Sequence, residues 1–386
     1  MYSGNCGVDC PMNYSWLYPG RLALQQRLLP AYRAPLFEAL ASICEGGLGI
    51  YAGQPQSEES VVSASNLQIA KYHKGRNRYL FPVSSPVCLV WQDGLTAWLK
   101  NWGPDALIAE ANLRYVNTRQ IVHWMHNHNR PVLGWGLGVP LSRGLPGMIQ
   151  KHLWINFINL FDVLIAYSQR GAAEYFDLGF PAKRILVASN AVTSRPIHPH
   201  PERPARWDDR PVVLFVGRLQ SRKRLENLLH ACAALPPGLQ PRLIIVGDGP
   251  IRSNLQALAG SVYPAAEFVG AKTHDELSHY FIAADLFVLP GTGGLAIQEA
   301  MAYGLPVIVA EGDGTQADLV RSENGWLIPP NDLPALQGTL STALLDVNRL
   351  RRMGRESYRI VAEEVNIEKM IAVFIHGVQL GIRPRL

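Results

Sequence analysis

Residues 283–318 read AADLFVLPGTGGLAIQEAMAYGLPVIVAEGDGTQAD. Leu286 to Leu289 is a short apolar run closed by Pro290, the pattern of a buried strand in a parallel sheet. Gly291-Thr292-Gly293-Gly294 follows as a loop nearly without side chains. Leu295 to Tyr303 is built of helix formers, and Gly304 stands where a helix C-cap is expected. Leu305 to Ala310 is a second apolar strand. Strand, glycine loop, helix, strand is a βαβ unit, with its ligand site at the carboxyl end of the first strand. Free N–H groups at the helix start, beside bare glycine backbone, cradle a phosphate. Glu299, in the first turns of that helix, is placed to reach hydroxyls on whatever carries the phosphate.

Upstream, Val212–Val216 is another apolar strand. Gly217-Arg218-Leu219-Gln220-Ser221-Arg222-Lys223-Arg224 leaves it, and a helix is expected to begin near Lys223. A cation at a helix N-terminus costs roughly 0.3–1 kcal/mol unless an anion sits there. A solvated basic helix start is the ordinary explanation of such a pair. Two cations at the carboxyl end of a buried strand, next to the glycine loop of another, are more specific. Arg218 can clamp a diphosphate with two hydrogen bonds and Lys223 supplies a point charge. Together they would stabilise a leaving diphosphate. Strands Arg242–Val246 and Glu267–Val269 and helix His274–Ala283 complete a Rossmann-like domain over residues 211–365.

The first half alternates in the same way. Strands are expected at Arg21–Gln26, Gly47–Tyr51, Tyr79–Phe81, Asp105–Ala109, Arg130–Gly134, Asp162–Tyr167 and Arg184–Ala188. Helices are expected at Tyr32–Cys44, Val90–Lys100 and Val116–His126. This is an α/β, doubly wound parallel sheet over residues 1–195, with 1–20 a loose extension. Glu110 and Asn112 end one strand and Trp135 and Gly136 the next, so all four are expected on the acceptor or sugar side of a cleft. Gly134-Trp135-Gly136-Leu137-Gly138 is followed by Val139 where a dinucleotide fingerprint needs glycine, which disfavours NAD. His123, His126 and His128 would allow a metal on a helix face, against the plainer reading of a wet helix end. Residues 147–161 (GMIQKHLWINFINLF) read either as a helix facing a membrane or acceptor, or as a core helix. A linker is expected at Thr193–Pro211, with prolines at 196, 199, 201, 204 and 211. The helix in 366–386, with Ile371, Phe374, Ile375 and Val378, is expected to pack back on the first domain.

The chain has 386 residues, 48% hydrophobic and 17% charged, which is globular and long enough for two cores. A net charge of +5 fits an anionic small ligand or acidic lipid, and no nucleic-acid motif is present. No apolar run approaches bilayer length. The first twenty residues lack the basic and apolar regions of a secretion signal. A cytoplasmic protein, held at most peripherally at the inner membrane face, is expected. Five scattered cysteines read as reduced thiols, and Cys6 and Cys10 lack the second pair of a metal site.

With these motifs in order, the chain resembles family 4 glycosyltransferases of the GT-B fold, which are retaining and nucleotide-sugar-dependent. The resemblance rests on VGRLQSRKR (216–224), IIVGDGPIR (244–252), AADLFVLPG (283–291), LAIQEAMAYGLPVI (295–308) and NGWLIPPND (324–332). It is weaker in the first half, through RLLPAYRAPLFEAL (27–40) and the strand ending at Ser168. The resemblance implies two Rossmann-like domains facing a cleft, with the donor held mainly by the second. Arg218 and Lys223 would be the catalytic cations. Gly217, Gly291, Thr292, Gly293, Gly294 and Leu295 would surround the donor diphosphate, and Glu299 would bind the ribose. No metal and no cofactor beyond the co-substrate are expected. One departure stands out: the family's first glutamate, eight positions before Glu299, is Gly291 here.

The function expected is sugar transfer from a nucleoside-diphosphate sugar, UDP or GDP form, to a hydroxyl of a glycan or lipid-linked acceptor, in polysaccharide, glycolipid or cell-envelope synthesis. The alternative is a catalytically weak or inactive nucleotide-binding protein of the same fold, for which activity created by Gly291→Glu would speak. An epimerase would need carboxylates and histidines poised for acid–base work, and none can be placed. A phosphorylase would accept free phosphate.

Overall fold

The computed structural model describes residues 17–56, 59, 62–64, 66–83, 85, 87–140, 145–207 and 209–382. Cys6, Cys10 and most of the expected extension lie outside them. In chain order the first half runs β1 (Leu22–Leu28), α1 (Ala34–Ser42), β2 (Leu48–Gly53), β3 (Lys71–Lys74), β4 (Arg76–Leu80), β5 (Leu89–Asp93) and α2 (Leu95–Trp102). It continues β6 (Ala106–Glu110), α3 (Thr118–His126), β7 (Val132–Gly136), α4 (Leu145–Ile158), β8 (Val163–Ala166), α5 (Gln169–Asp177) and β9 (Ile185–Val187). The second half runs β10 (Val212–Val216), α6 (Leu225–Ala233), β11 (Arg242–Val246), α7 (Arg252–Val262), β12 (Glu267–Gly270), α8 (His274–Ala283), β13 (Leu286–Leu289) and α9 (Leu295–Ala302). It ends with β14 (Val307–Ala310), α10 (Thr315–Leu319), β15 (Gly325–Ile328), α11 (Leu333–Leu345), α12 (Val347–Glu363) and α13 (Ile367–Ile382).

Two sheets are formed, in the orders β3-β2-β1-β6-β7-β8-β9 and β12-β11-β10-β13-β14-β15, with β4 and β5 as a separate hairpin. Every pairing described in the six-stranded sheet is parallel. The α/β architecture with helices joining parallel strands is the one expected. By compactness the described residues fall into two units. One holds the chain to Glu110, Arg114–Leu133 and the residues from Val378; the other holds Ala111–Leu113 and Gly134–Gly377.

In the second unit the strands are nearly continuous apolar runs because both sheet faces are covered. Leu214, Phe215, Ile245, Phe287, Val288, Ile308 and Val309 are wholly buried in its core. Each such side chain is worth about 1.5–3 kcal/mol relative to exposure. That core fixes where β10 and β13 end, and therefore where their loops begin.

One expected helix is corrected. Residues 89–93 are strand β5, paired antiparallel with β4 from Arg76↔Asp93 to Leu80↔Leu89, and helix α2 starts only at Leu95. Gly94, with φ +77°, turns the chain between them, a conformation that suits glycine. The stretch Val347–Ile382 is long and apolar enough to cross a membrane by composition, yet it is two helices that part at Glu364–Asn366. Met370, Ile371, Phe374 and Ile375 of α13 are buried, with Phe374 edge-on to Trp135 at 5.0 Å.

The proline-rich segment is a strap and not a loose linker. Arg203 donates from Nε to Ala284 O (2.8 Å), from Nη2 to Phe281 O (2.9 Å) and from Nη1 to Gly304 O (3.3 Å). Those carbonyls lie at the carboxyl ends of α8 and α9, where backbone acceptors lack intrahelical partners. Tyr358 donates its hydroxyl to His198 O, and Arg351 donates to Pro204 O at 2.7 Å.

Candidate active site

β10 ends at Val216, and the basic loop follows it. The helix does not begin at Lys223, as the sequence suggested. Ser221–Lys223 is a single 3-10 turn, Arg224 takes a left-handed conformation (φ +54°), and α6 starts at Leu225. This kink folds the backbone of Arg222 and Lys223 against the glycine loop after β13. A Cβ at Gly291 would collide with the carbonyl oxygen of Arg222 and lie 2.5 Å from the carbonyl carbon of Lys223. Gly291 is therefore required by packing: its Cα–H surface is the seat of the other loop's backbone. This supplies a physical reason for glycine at the position where the resemblance implies glutamate.

The second contact is made by the lysine itself. Gly293 has φ +143°, and a Cβ there would collide with Nζ of Lys223. The two elements the sequence singled out, Lys223 and the glycine loop, are thus brought together. Burial, and then the neighbouring Arg222 charge, push the Lys223 amine down to about 8. An anion arriving at the amine would reverse that shift.

The loop's donors are unequal. Thr292 N–H donates to Arg222 O at 3.0 Å, so it is spent on joining the loops and is not available to a phosphate, contrary to the expected cradle. Arg222 Nη1 in turn donates to Thr292 Oγ1 at 3.3 Å. The N–H groups of Gly293, Gly294 and Leu295 have no partner among the described residues. They sit at the start of α9, where Gly294 is the N-cap and the helix dipole favours an anion. Gln316 Nε2 donates to Gly293 O at 3.1 Å, and the Gln316 side chain is buried. This bond fixes the Gly293–Gly294 peptide plane. Sequence reasoning missed Gln316 and Arg222; the position of GDGTQ (312–316) just after β14, at the same sheet edge, was the available signal.

Arg218 is exposed on the loop after Gly217. Glu299 is half-buried in the second turn of α9. Beside it, Gln298 is buried and holds the chain at Asn190 O (2.6 Å) and Val192 N (2.9 Å).

The first-half candidates are placed differently. Glu110 ends β6, and its carboxylate accepts from Arg27 N–H at 3.0 Å, so part of its capacity is committed to the backbone. Asn112 is half-buried in the loop after β6. Trp135 is wholly buried, 5.0 Å from the rings of both Tyr167 and Phe374. Gly136 is buried too, and a Cβ there would meet Tyr175 Oη at 2.7 Å and Ala111 O at 2.9 Å. Trp135 and Gly136 are buried rather than outward-facing, where the expectation rested only on their place at a strand end. His123 and His128 are each tied locally, to Asn127 at 3.0 Å and to Trp124 O at 2.7 Å. Among the described residues no group of three histidine, cysteine or acidic side chains is arranged to hold a metal. Cys44, Cys88 and Cys232 are free and buried.

Two Rossmann-like parallel sheets, one of which joins a basic turn to a glycine-rich helix start, define the GT-B fold class. Residues 199–360 match the family described as glycosyl transferases group 1. It is 34% identical over 145 residues to the sulfoquinovosyl transferase SQD2 of Arabidopsis thaliana, covering 36% of this chain and 27% of that one. It is 28% identical over 235 residues to the putative colanic acid biosynthesis glycosyltransferase WcaL of Escherichia coli, covering 56% and 57%. The chain thus spans between about a quarter and just over half the length of these curated relatives. Its fold is similar to Anabaena Alr3699/HepE, crystallised with UDP, at a TM-score of 0.66 and 18% identity, over 93% of this chain and 99% of that one.

Proposed function

We propose that the chain is a glycosyltransferase that moves a sugar from a nucleoside-diphosphate sugar to an acceptor hydroxyl, with retention at the anomeric carbon. One observation carries this reading: the Lys223 amine lies against Gly293, beside three N–H groups at a helix start that have no partner among the described residues. In this reading the diphosphate lies on Gly293, Gly294 and Leu295, and Lys223 and Arg218 neutralise its charge as the sugar–phosphate bond breaks. Glu299 accepts hydrogen bonds from the ribose. The acceptor hydroxyl attacks from the face the diphosphate leaves. The two cations take the place of a divalent metal, so activity is expected to survive EDTA; its loss would remove the metal-free assignment.

A structure similar in fold holds UDP, which supports a nucleoside-diphosphate donor. A relative named for colanic acid biosynthesis supports a glycan acceptor in polysaccharide or cell-envelope synthesis. The exposed side of α4 supports a peripheral meeting with an anionic membrane from the cytoplasmic side. Met148, Ile149 and Leu153 there are 69%, 67% and 49% exposed, with Lys151 among them, while Trp154, Phe157 and Ile158 are buried. A helix apolar all round is stable in water only if each side finds a partner.

The test is thermal-shift binding against UDP, GDP, ADP and their sugar conjugates, followed by hydrolysis and transfer assays on any hit. Stabilisation by one nucleotide family that is lost in Lys223→Ala is expected. At a ligand concentration 100 times Kd it should amount to about 2.7 kcal/mol. Stabilisation by none of them would sink the reading.

A further inference from the structure

The strap described above and the amino-terminal edge of the six-stranded sheet share a cavity of about 370 Å³. Its walls include the first residues of β10 and β11, Val212 and Arg242, and the segment before β13. Five guanidinium groups line it: Arg203, Arg206, Arg210, Arg242 and Arg351. Arg242 has its own partner in Glu267, at 2.5 and 2.8 Å. The inner carboxylate, Asp285, is doubly engaged, accepting from Arg351 Nη2 and from Val212 N–H, both at 2.8 Å. Glu202 and Asp209, the other carboxylates of the lining, are exposed on the strap.

The cations are not fully answered. The Arg351 side chain is only 11% exposed, and its Nη1 is buried without a hydrogen-bond partner among the described residues. Its guanidinium lies 5.2 Å from the Trp207 ring, which screens it from water on one side. Arg206 has no ion pair among the described residues, and Arg210 has only its neighbour Asp209 at 3.8 Å. Burial, and then the charge of Arg351, lower Arg203 to about 10, with Asp285 offsetting part of this. A buried donor left unmade is costly, and an oxyanion would meet it. The volume lies within the about 300–1,000 Å³ usual for small-molecule sites and exceeds what a bare phosphate needs.

We propose that this cavity is a second anion site, taking a phosphate-bearing small molecule up to sugar-phosphate size, held by Arg206, Arg210 and Nη1 of Arg351. It is separate from the donor loops, which lie at the carboxyl ends of the same strands while the cavity lies at their amino ends.

The experiment is calorimetric titration of the full chain with inorganic phosphate and with glucose 6-phosphate, in wild type, Lys223→Ala and the double variant Arg206→Ala/Arg210→Ala. Saturable one-site binding is expected in wild type and in Lys223→Ala. The double variant should weaken it roughly tenfold or more while its unliganded unfolding midpoint stays put. Arg206→Gln alone, at an exposed position with no ion pair among the described residues, carries the same test if the double variant fails to fold. No saturable binding of either probe to wild type would overturn the proposal. So would binding that is lost in Lys223→Ala and kept in the arginine variants, since the anion would then be sitting on the donor loops.

Discussion

At the scale of the residue, Lys223 and Gly291 carry the argument. The Lys223 amine, pushed down to about 8 by burial and Arg222, is charged at neutral pH and loses its proton as pH rises through that value. A diphosphate favours the charged form. Donor affinity should therefore be greatest below about 8 and fall above it, with proton uptake on binding near that pH. Titration in buffers of different ionisation enthalpy reads this directly; proton-neutral binding at pH 8 would detach Lys223 from the diphosphate. Lys223→Ala should lower turnover by about 10²–10³, the size of losing one preorganised charge contact. Gly291→Glu is expected to harm, because the new Cβ meets the backbone of Arg222 and Lys223. A loss of about 1–3 kcal/mol by overpacking, with weaker donor binding, is the expectation in urea unfolding. A gain of activity in that variant would contradict the packing account. The sequence exposed the glycine loop and its basic partner because both depend on local residue type. It concealed which N–H groups stay free, since Thr292 is spent on a carbonyl seventy positions away in the chain.

At the scale of the element, the two most informative pieces are α4 and the strap. Met148→Glu with Ile149→Glu should leave folding unchanged, as both side chains are exposed, and reduce sedimentation with anionic vesicles relative to neutral ones. Equal sedimentation of wild type and variant would leave α4 without a lipid role. On the strap, His200 is pulled below its usual value by burial first, and then by Arg203 beside it and Arg355 of α12; a hydrogen bond to its own backbone and then Glu202 oppose this, and the Tyr358 ring stands 5.6 Å away. A histidine lowered in the folded state binds fewer protons there than when unfolded. Its contribution is whole above about 6.5 and is lost as pH falls below that. Wild type should thus lose more stability than His200→Gln between pH 7.5 and 5.5, and parallel curves would refute it. The helix of α4 was legible over 147–161, though not which of its sides meets water, while the strap was not legible as an element. Prolines read as a break because they cannot continue a helix or strand. Nothing local to Arg203 says that its donors reach residues 281, 284 and 304.

At the scale of the whole molecule, legibility followed burial. Five strands of the second sheet, β10 to β14, were found within a residue or two because runs such as Val212–Val216 and Leu286–Leu289 are apolar and bounded by glycine or proline, while β15 was not read as a strand. Strand β3, Lys-Tyr-His-Lys, was missed. It sits at the end of its sheet, largely exposed, and carries no periodic apolar signal. Of the β4–β5 hairpin only the end of β4 was read, at Tyr79–Phe81, and β5 was taken into a helix, for a related reason. Its exposure alternates along the chain, and the aromatic and aliphatic residues of β5 pass equally well for the first turn of a helix.

The triple grip of Arg203 has a consequence for inheritance. If two genes of this kind exchange their second halves, a crossover at Pro211 hands over a half whose α8 and α9 end in bare carbonyls. A crossover before His198 transfers the arginine together with the backbone it holds. The family match beginning at residue 199 falls on the side of that seam where the exchanged piece stays whole.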